Sequence, residues 1–267
     1  MKRYLRLIAA FWSNSLRQAV EFKTNFWVNV LTNFGFLISL AVFLEIIFRN
    51  TASVAGWRKP EMFILFGTYS MLRGLSDTLF YKNLSQMPNY IRKGEMDFIL
   101  TKPVNSQFYV SLRYIQLEEL GQSLGAVCAI VYGCMTLPNG LHLSFEHVIV
   151  YILLGIFSMA LFYSLNMLLM TLSFWFVRLD NLMVLADTVY GISRNPIDIW
   201  GVFGPLPKII FTYVLPLAFF ATIPVKALFG APAAPALLTS AAVTTVFFVA
   251  SVAFWQFAAR SYSSASS

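Results

Sequence analysis

Residues 147–177 read HVIVYILLGIFSMALFYSLNMLLMTLSFWFV, 31 residues without a formal charge when the histidine is neutral. About 20 apolar residues in a helix cross the hydrocarbon core of a bilayer, so this stretch is one crossing with length to spare, tilted or reaching past the lipid. The rest of the chain agrees. Of its 267 residues 58% are apolar and 12% are charged, whereas an ordinary soluble domain is about a quarter charged. So few charged groups cannot cover a water-exposed surface, and the solvent for most of this chain must be lipid. The expected fold is an all-α polytopic membrane protein of one domain, residues 1–267.

Upstream of that stretch, a first span is expected over residues 26–48, with Glu45 its one charge, and a second over 62–81, containing Arg73 and Asp77. A polar segment, 82–105, ends near the helix breaker Pro103. A third span is expected from about Ser111 to about Leu137, stopped by Pro138-Asn139-Gly140. Downstream, Leu182, Leu185, Ala186, Val189 and Ile192 recur at helical spacing with Asp180 and Asp187 elsewhere. This predicts an amphipathic helix within 179–200, lying on the inner surface and too polar to cross. A fifth span is expected from Lys208, interrupted by Pro216 and Pro224, and a sixth over 236–259, followed by a polar, disordered tail. Residues 1–24 read as an interfacial helix, with Leu5, Ile8, Ala9, Trp12, Leu16 and Val20 on one side and Arg3, Arg6 and Arg17 free to meet lipid headgroups.

The net charge of +7 needs no nucleic-acid partner, because the basic residues follow the positive-inside rule. With six spans and both termini inside, fourteen of the 19 Lys and Arg fall on the inner side (2, 3, 6, 17, 23, 82, 92, 93, 102, 113, 178, 194, 208 and 260). Four fall outside (49, 58, 59 and 226), and Arg73 lies within a span. Multi-pass insertion with both termini cytoplasmic follows, and membrane lipids are the general partner.

No catalytic apparatus is visible. The phosphate loop G-x-x-x-x-G-K-[ST] is absent, so a nucleotide, if used, binds another subunit. His142 and His147 have no metal-ligand cluster around them, and Cys128 and Cys134, six residues apart, are too distant along a helix to bond. The chain is expected to be no enzyme and to hold no cofactor or metal itself. The stretch Ile91-Arg92-Lys93-Gly94-Glu95-Met96-Asp97-Phe98, continuing to Lys102-Pro103-Val104-Asn105, mixes both signs of charge with apolar residues in an inner loop. That is the composition of a short helix docking on a soluble partner, or of a solvated loop with a membrane-facing edge.

This stretch, with Leu72, Gly74, Leu75, Leu79, Phe80, Asn83 and Leu84 before it and Ser111-Leu112-Arg113 after it, resembles a bacterial family of ABC transporter permeases of the type-2 exporter superfamily. The pattern Ile-Arg-x-Gly-x-Met-Asp-Phe, then Lys-Pro-x-Asn, stands complete, and Pro216, Ala218, Pro224 and Gly230 extend the likeness over most of the chain. The resemblance implies a bacterial inner-membrane permease that exports its cargo. It implies a second, paralogous permease and two copies of a separate cytoplasmic ATPase that binds ATP and Mg. It further implies that residues 82–105 supply the coupling helix seated on that ATPase, through Ile91 to Phe98 with Lys102 and Pro103. Cargo is expected among small amphipathic, cationic, peptide or lipid-like compounds.

Six charged residues fall within or beside expected spans. Arg73 and Asp77 are four apart on one helical face and can pair. At a helix centre each alone costs about 2.5–3.5 kcal/mol on insertion scales, so both should face inward. Glu45 lies near the outer end of the first span, where it can snorkel. Glu118 and Glu119 point about 100° apart and are expected to meet Arg113 or neighbouring basic groups at the inner mouth. Gly121 and Gly125 form G-x-x-x-G and permit close helix packing. These charges also allow an alternative, an ion-coupled secondary transporter, which predicts inverted repeats with interrupted helices in both halves. One interruption is found, near Pro216 and Pro224.

Overall fold

The structure, a computed structural model, describes residues 2–21, 23–137, 144–176 and 180–262. The turn expected at Pro138-Asn139-Gly140 and the tail beyond Tyr262 lie outside the described residues. Among those described, all regular structure is helical apart from a two-residue bridge between Val54 and Trp57. The helices are α1 (Lys2–Glu21), α2 (Lys23–Asn50), α3 (Lys59–Ser76), α4 (Met87–Arg92), α5 (Glu95–Leu100), α6 (Ser106–Leu112) and α7 (Leu120–Thr136). They continue with α8 (Phe145–Thr171), α9 (Asp180–Ile192), α10 (Pro205–Ile209), α11 (Thr222–Leu228) and α12 (Ala233–Ser261). Two of these helical segments, Phe145–Phe174 and Ala233–Ser261, are long and apolar enough to cross a membrane, and Met183–Ile192 is a shorter apolar helix.

Helices α3 and α7 meet along a seam of small residues. A Cβ on Gly67 would stand 2.8 Å from the Ala126 carbonyl oxygen, and one on Gly133 would stand 2.7 Å from that of Pro60. A Cβ on Gly74 would lie 3.1 Å from the Ser123 backbone nitrogen. The seam therefore uses Gly67 and Gly74, seven apart on one face of α3, against Ser123, Ala126, Ile130 and Gly133 of α7. Gly121 instead admits Val30 of α2. Hydrophobicity does not separate helices in lipid from one another, so close backbone approach and the dispersion it allows are what bind them.

Buried hydroxyls are satisfied locally, as an apolar bundle requires. Thr68 donates to Ile64 O and Thr171 to Met167 O, each four residues back. Ser158 of α8 reaches across to Phe219 O, and Thr244 of α12 donates to Phe157 O, 3.3 Å away. The core gathers Leu65, Phe66, Leu84, Met87, Leu161, Phe162, Met170 and Phe220.

Two expectations about the path of the chain are corrected. The third span does not run unbroken from Ser111. The α6 helix ends at Leu112, residues 113–116 are non-helical, and a short 3-10 turn at Leu117–Glu119 leads into α7. The exposed backbone groups of this break are taken up by neighbours, the condition for irregular backbone inside a membrane protein. Asn83 holds Tyr114 from both sides, Nδ2 donating to its carbonyl at 2.6 Å and Oδ1 accepting from its N–H at 2.9 Å. Thr78 O accepts from Gln116 N, and Ser15 Oγ accepts from Ile115 N. Thr78 belongs to a π-helical turn, Asp77–Tyr81, that continues α3.

Of the segment 179–200, the described residues 180–200 make contacts near both ends of α3. Asp187 meets Arg73 of α3 and Tyr81 of the π turn that continues it, while Asp198 reaches Trp57, just before the start of that helix. Arg73 lies fourteen residues, about 21 Å of helix rise, beyond Lys59 at the start of α3, next to Trp57. The segment from α9 to Asp198 therefore climbs the bundle. Lys208 and Lys226 both bind Asp198, so they lie at the same end, and 208–226 is not a crossing. That segment consists of short pieces: α10, a π turn (Ile210–Val214), a 3-10 turn (Leu217–Phe219) and α11. The Asp187–Arg73 pair ties α9 to α3, although the Asp187 side chain remains 47% exposed.

Candidate functional site

The loop between α3 and α6 is built as two short helices hinged at Gly94. Lys93 N and Gly94 N close α4 onto Asn89 O and Ile91 O, and Gly94 itself is left-handed, φ 71°. Any other L-residue there would cost about 1 kcal/mol. Its carbonyl then accepts from Asp97 N and starts α5. Three-residue spacing sorts the side chains of α5. Met96 (0% exposed) and Ile99 (3%) point into the protein, while Glu95 and Phe98 point out, Phe98 with 74% of its surface exposed. Ile91 is partly buried against the same core.

The buried side of this loop belongs to the main core together with Leu84, just past the π turn that continues α3, Met87 at the start of α4 and Met170 near the end of α8. It is braced further on. Lys102 Nζ donates to Tyr109 OH at 2.8 Å, and Asn105 caps α6 by accepting from Phe108 N at 2.9 Å. Asn105 N in turn donates to Tyr4 OH of α1, and the Tyr4 ring meets Phe108 edge-on. The outer surface carries Arg92, Lys93, Glu95 and Pro103, all exposed. Arg92 is steadied by Asn89 Oδ1 at 2.8 Å. A polar groove of about 360 Å³ runs behind it, lined by Lys82, Gln86, Asn89, Lys93, Glu95 and Gln116 among others. Burial pushes the hydroxyl of Tyr90, on its wall, above the ordinary phenol range.

The remaining candidate charges separate into pairs. Arg73 Nε lies 3.0 Å from Asp77 Oδ2, as the four-residue spacing implies, and its terminal nitrogen lies 2.9 Å from Asp187 Oδ1. Tyr81 OH donates to the same Asp187 oxygen at 2.8 Å, and the Arg73 guanidinium stands 4.3 Å over the Tyr81 ring. Glu45 pairs with Lys59. Of the two partners expected for Glu118 and Glu119, Arg113 or a neighbouring basic group, Glu119 takes the second. Glu119 faces Lys82 at 3.4 Å, whereas Arg113 sits among the rings of Tyr90, Tyr109 and Tyr114, centroids 4.9–5.9 Å away. The helix break at 113–116 turns Arg113 away from both acids.

Sequence reasoning missed Asp198, which gathers Trp57 Nε1 at 3.1 Å, Lys208 at 3.1 Å and Lys226 at 2.6 Å. Burial pushes its carboxyl up, but the three donors more than offset this and hold it below the ordinary carboxylate range. Two lysines and a tryptophan from three separate segments leave no local signal for such a site. Two apolar clefts also open on the bundle, one of about 410 Å³ between α8, α9 and α12, the other of about 450 Å³ between α2 and α7. Among the described residues no group of three or more His, Cys, Asp or Glu is placed to hold a metal ion.

Compared with known proteins, residues 34–266 match the family model described as ABC-2 family transporter protein. No curated protein and no solved structure matches the chain.

Proposed function

Because the chain belongs to the ABC-2 family of transporter proteins and so is a membrane-embedded ABC permease, we propose that it is the permease subunit of an ATP-driven exporter whose ATPase is a separate polypeptide. The observation that carries this is Phe98: a 74% exposed aromatic ring, flanked by Arg92, Lys93 and Glu95, on a loop whose other side is locked into the core. An exposed aromatic anchor ringed by charges is the composition of an interface hot spot, the charges setting register and the ring filling a pocket. Met96 and Ile99 are spent on holding the loop to α3 and α8, and so are not available to that pocket.

In this reading six segments cross the bacterial inner membrane: α2, α3, the broken α6–α7, α8, the stretch from α9 to Asp198, and α12, with the α9 stretch the fifth crossing. The loop 82–105 faces the cytoplasm, and the Asp198 cluster faces outward. Two ATPase copies, each with ATP and Mg, close beneath this subunit and a second, paralogous permease. The push on Phe98 passes through Leu84 and Met87 into α3, and through Met96 and Ile99 toward α8. Through α3, the motion reaches the α3–α7 seam and the Arg73 cluster. Cargo of amphipathic or cationic character suits the apolar clefts on the bundle. A direct test is affinity purification of the tagged chain from its native membrane, followed by transport in proteoliposomes. Recovery of an ATPase and transport that needs ATP support the reading. The Arg73–Asp77–Asp187 cluster favours one alternative, an ion-coupled carrier, and transport driven by an ion gradient without ATP would replace the proposal with it.

A further inference from the structure

Helix α1 presents three distinct faces. At about 100° per residue, Tyr4, Leu7, Ile8, Phe11 and Ser15 share one arc, and this arc meets the bundle. Tyr4 OH accepts from Asn105 N at 3.3 Å, and the Tyr4 ring meets Phe108 edge-on. Phe11 meets the Tyr109 ring edge-on at 5.7 Å, and Ser15 Oγ accepts from Ile115 N at 3.0 Å. The helix is therefore laid along α6, from the end of the loop 82–105 to the helix break at 113–116. Ser15 is buried and takes up a backbone N–H that the break frees, so the break depends on α1 being in place.

The second arc holds Leu5, Trp12 and Leu16, large apolar side chains that are all exposed. The third holds Lys2, Arg3, Arg6 and Arg17 within about 100° of arc, again all exposed. No acid precedes Glu21 in the chain. Among the described residues none of these four cations makes an ion pair. An apolar strip carrying an indole, bordered by a cationic strip, is the surface of a helix that lies among lipid headgroups. Charge complementarity selects an anionic lipid, because each cation near such a surface strengthens attraction about fivefold. The apolar strip selects a lipid over a free anion, which has no acyl chain to cover Leu5, Trp12 and Leu16.

We propose that α1 is a clamp set by anionic phospholipid. The headgroups bind the strip Lys2, Arg3, Arg6 and Arg17, and the bound helix, through Tyr4 and Ser15, holds the loop end at Asn105 and the break at 113–116 in place. Without that lipid α1 is less firmly seated, and the N–H groups of Asn105 and Ile115 open to water more often. The bearing of the clamp on transport rests on the reading of loop 82–105 as the ATPase dock. Lipid binding itself rests only on the membrane.

The test uses the full-length chain, without an ATPase, in nanodiscs of phosphatidylcholine alone or mixed with phosphatidylglycerol, and follows amide exchange by mass spectrometry. Phosphatidylglycerol should slow exchange across 2–17 and across 105–116 of the wild-type chain. Lys2→Gln/Arg3→Gln/Arg6→Gln leaves the packed arc untouched and should weaken the response about 100-fold, which abolishes it. Ser15→Ala should keep the slowing in α1 and lose it at 113–116. Tyr4→Phe keeps the ring on Phe108, should lose the slowing at Asn105, and decides the matter if Ser15→Ala fails to fold. Equal wild-type exchange in the two lipids overturns the proposal, as does a triple variant that responds like the wild type. Wild-type slowing confined to α1, or a Ser15→Ala chain still slowed at 113–116, refutes the clamp. Inorganic phosphate added to the phosphatidylcholine discs should change nothing, and an effect equal to that of phosphatidylglycerol overturns the lipid as ligand. Failure of the exporter reading leaves each of these outcomes unchanged, because the discs hold no ATPase.

Discussion

Gly133→Ala on the α3–α7 seam should destabilise the protein, although alanine is the better helix former. The added Cβ would stand 2.6 Å from Ile64 Cγ1, 2.7 Å from Pro60 O and 3.1 Å from Ile64 N. Ile64 Cγ1 can swing aside, but the other two atoms are the backbone of α3. Carbon contacts are comfortable at about 3.5–4.0 Å, so the helices must separate by roughly 0.5–1 Å. Overpacking of this kind costs about 1–3 kcal/mol, against a helix-propensity gain of about 0.5–1 kcal/mol. The net is a loss of roughly 1–2 kcal/mol, a fall of a few degrees in the thermal midpoint. Gly155→Ala is the control. It is also helical, but its nearest neighbour is Leu72 Cδ2 at 4.0 Å, so the propensity gain should stand and the midpoint should rise. Gly67 opposes the same helix, against Ala126 O at 2.8 Å. Once one Cβ has parted α3 from α7, the second meets less resistance, and the double variant Gly67→Ala/Gly133→Ala should cost less than the sum of the singles. Thermal unfolding in detergent, followed by intrinsic fluorescence, measures all four. A Gly133→Ala protein as stable as Gly155→Ala would refute the claim that backbone proximity holds this seam.

Phe98→Ala should fold as the parent does, because the ring is mostly in solvent, yet weaken ATPase binding by about 2 kcal/mol or more, roughly 30-fold, in a pull-down titration. Arg73→Gln leaves two facing carboxylates without their shared cation and should cost about 3–5 kcal/mol of stability by thermal unfolding. Asn83→Ala strips Tyr114 of both its partners and should cost about 1–3 kcal/mol, with faster amide exchange at residues 113–116 as the local readout. The lowered Asp198 carboxyl contributes stability above the unfolded carboxylate range, near 3.9, and loses it as pH falls through the still lower folded value. The emission of Trp57 should therefore report loosening in strong acid, and Asp198→Asn should show no such acid step.

The sequence by itself determined that this chain lives in lipid, because 31 uncharged residues in one stretch admit no other solvent. It also carried the loop proposed here to dock on the ATPase, since the motif from Ile91 to Asn105 is local and helical spacing alone puts Glu95 and Phe98 on one face. The Arg73–Asp77 pair was legible for the same reason: four residues make one turn. Tertiary structure decided what lies between distant segments. Periodicity reads Asp187 as exposed, and its side chain is 47% exposed, but it cannot see Arg73, 114 residues away in sequence, to which that charge is tied. The same blindness sends Lys208 and Lys226 to opposite sides of the membrane until Asp198 is seen binding both. The break at 113–116 was equally hidden, for it is stable only where Asn83, Thr78 and Ser15 arrive to satisfy its backbone. Local pattern fixes which groups want partners, and only the fold supplies them.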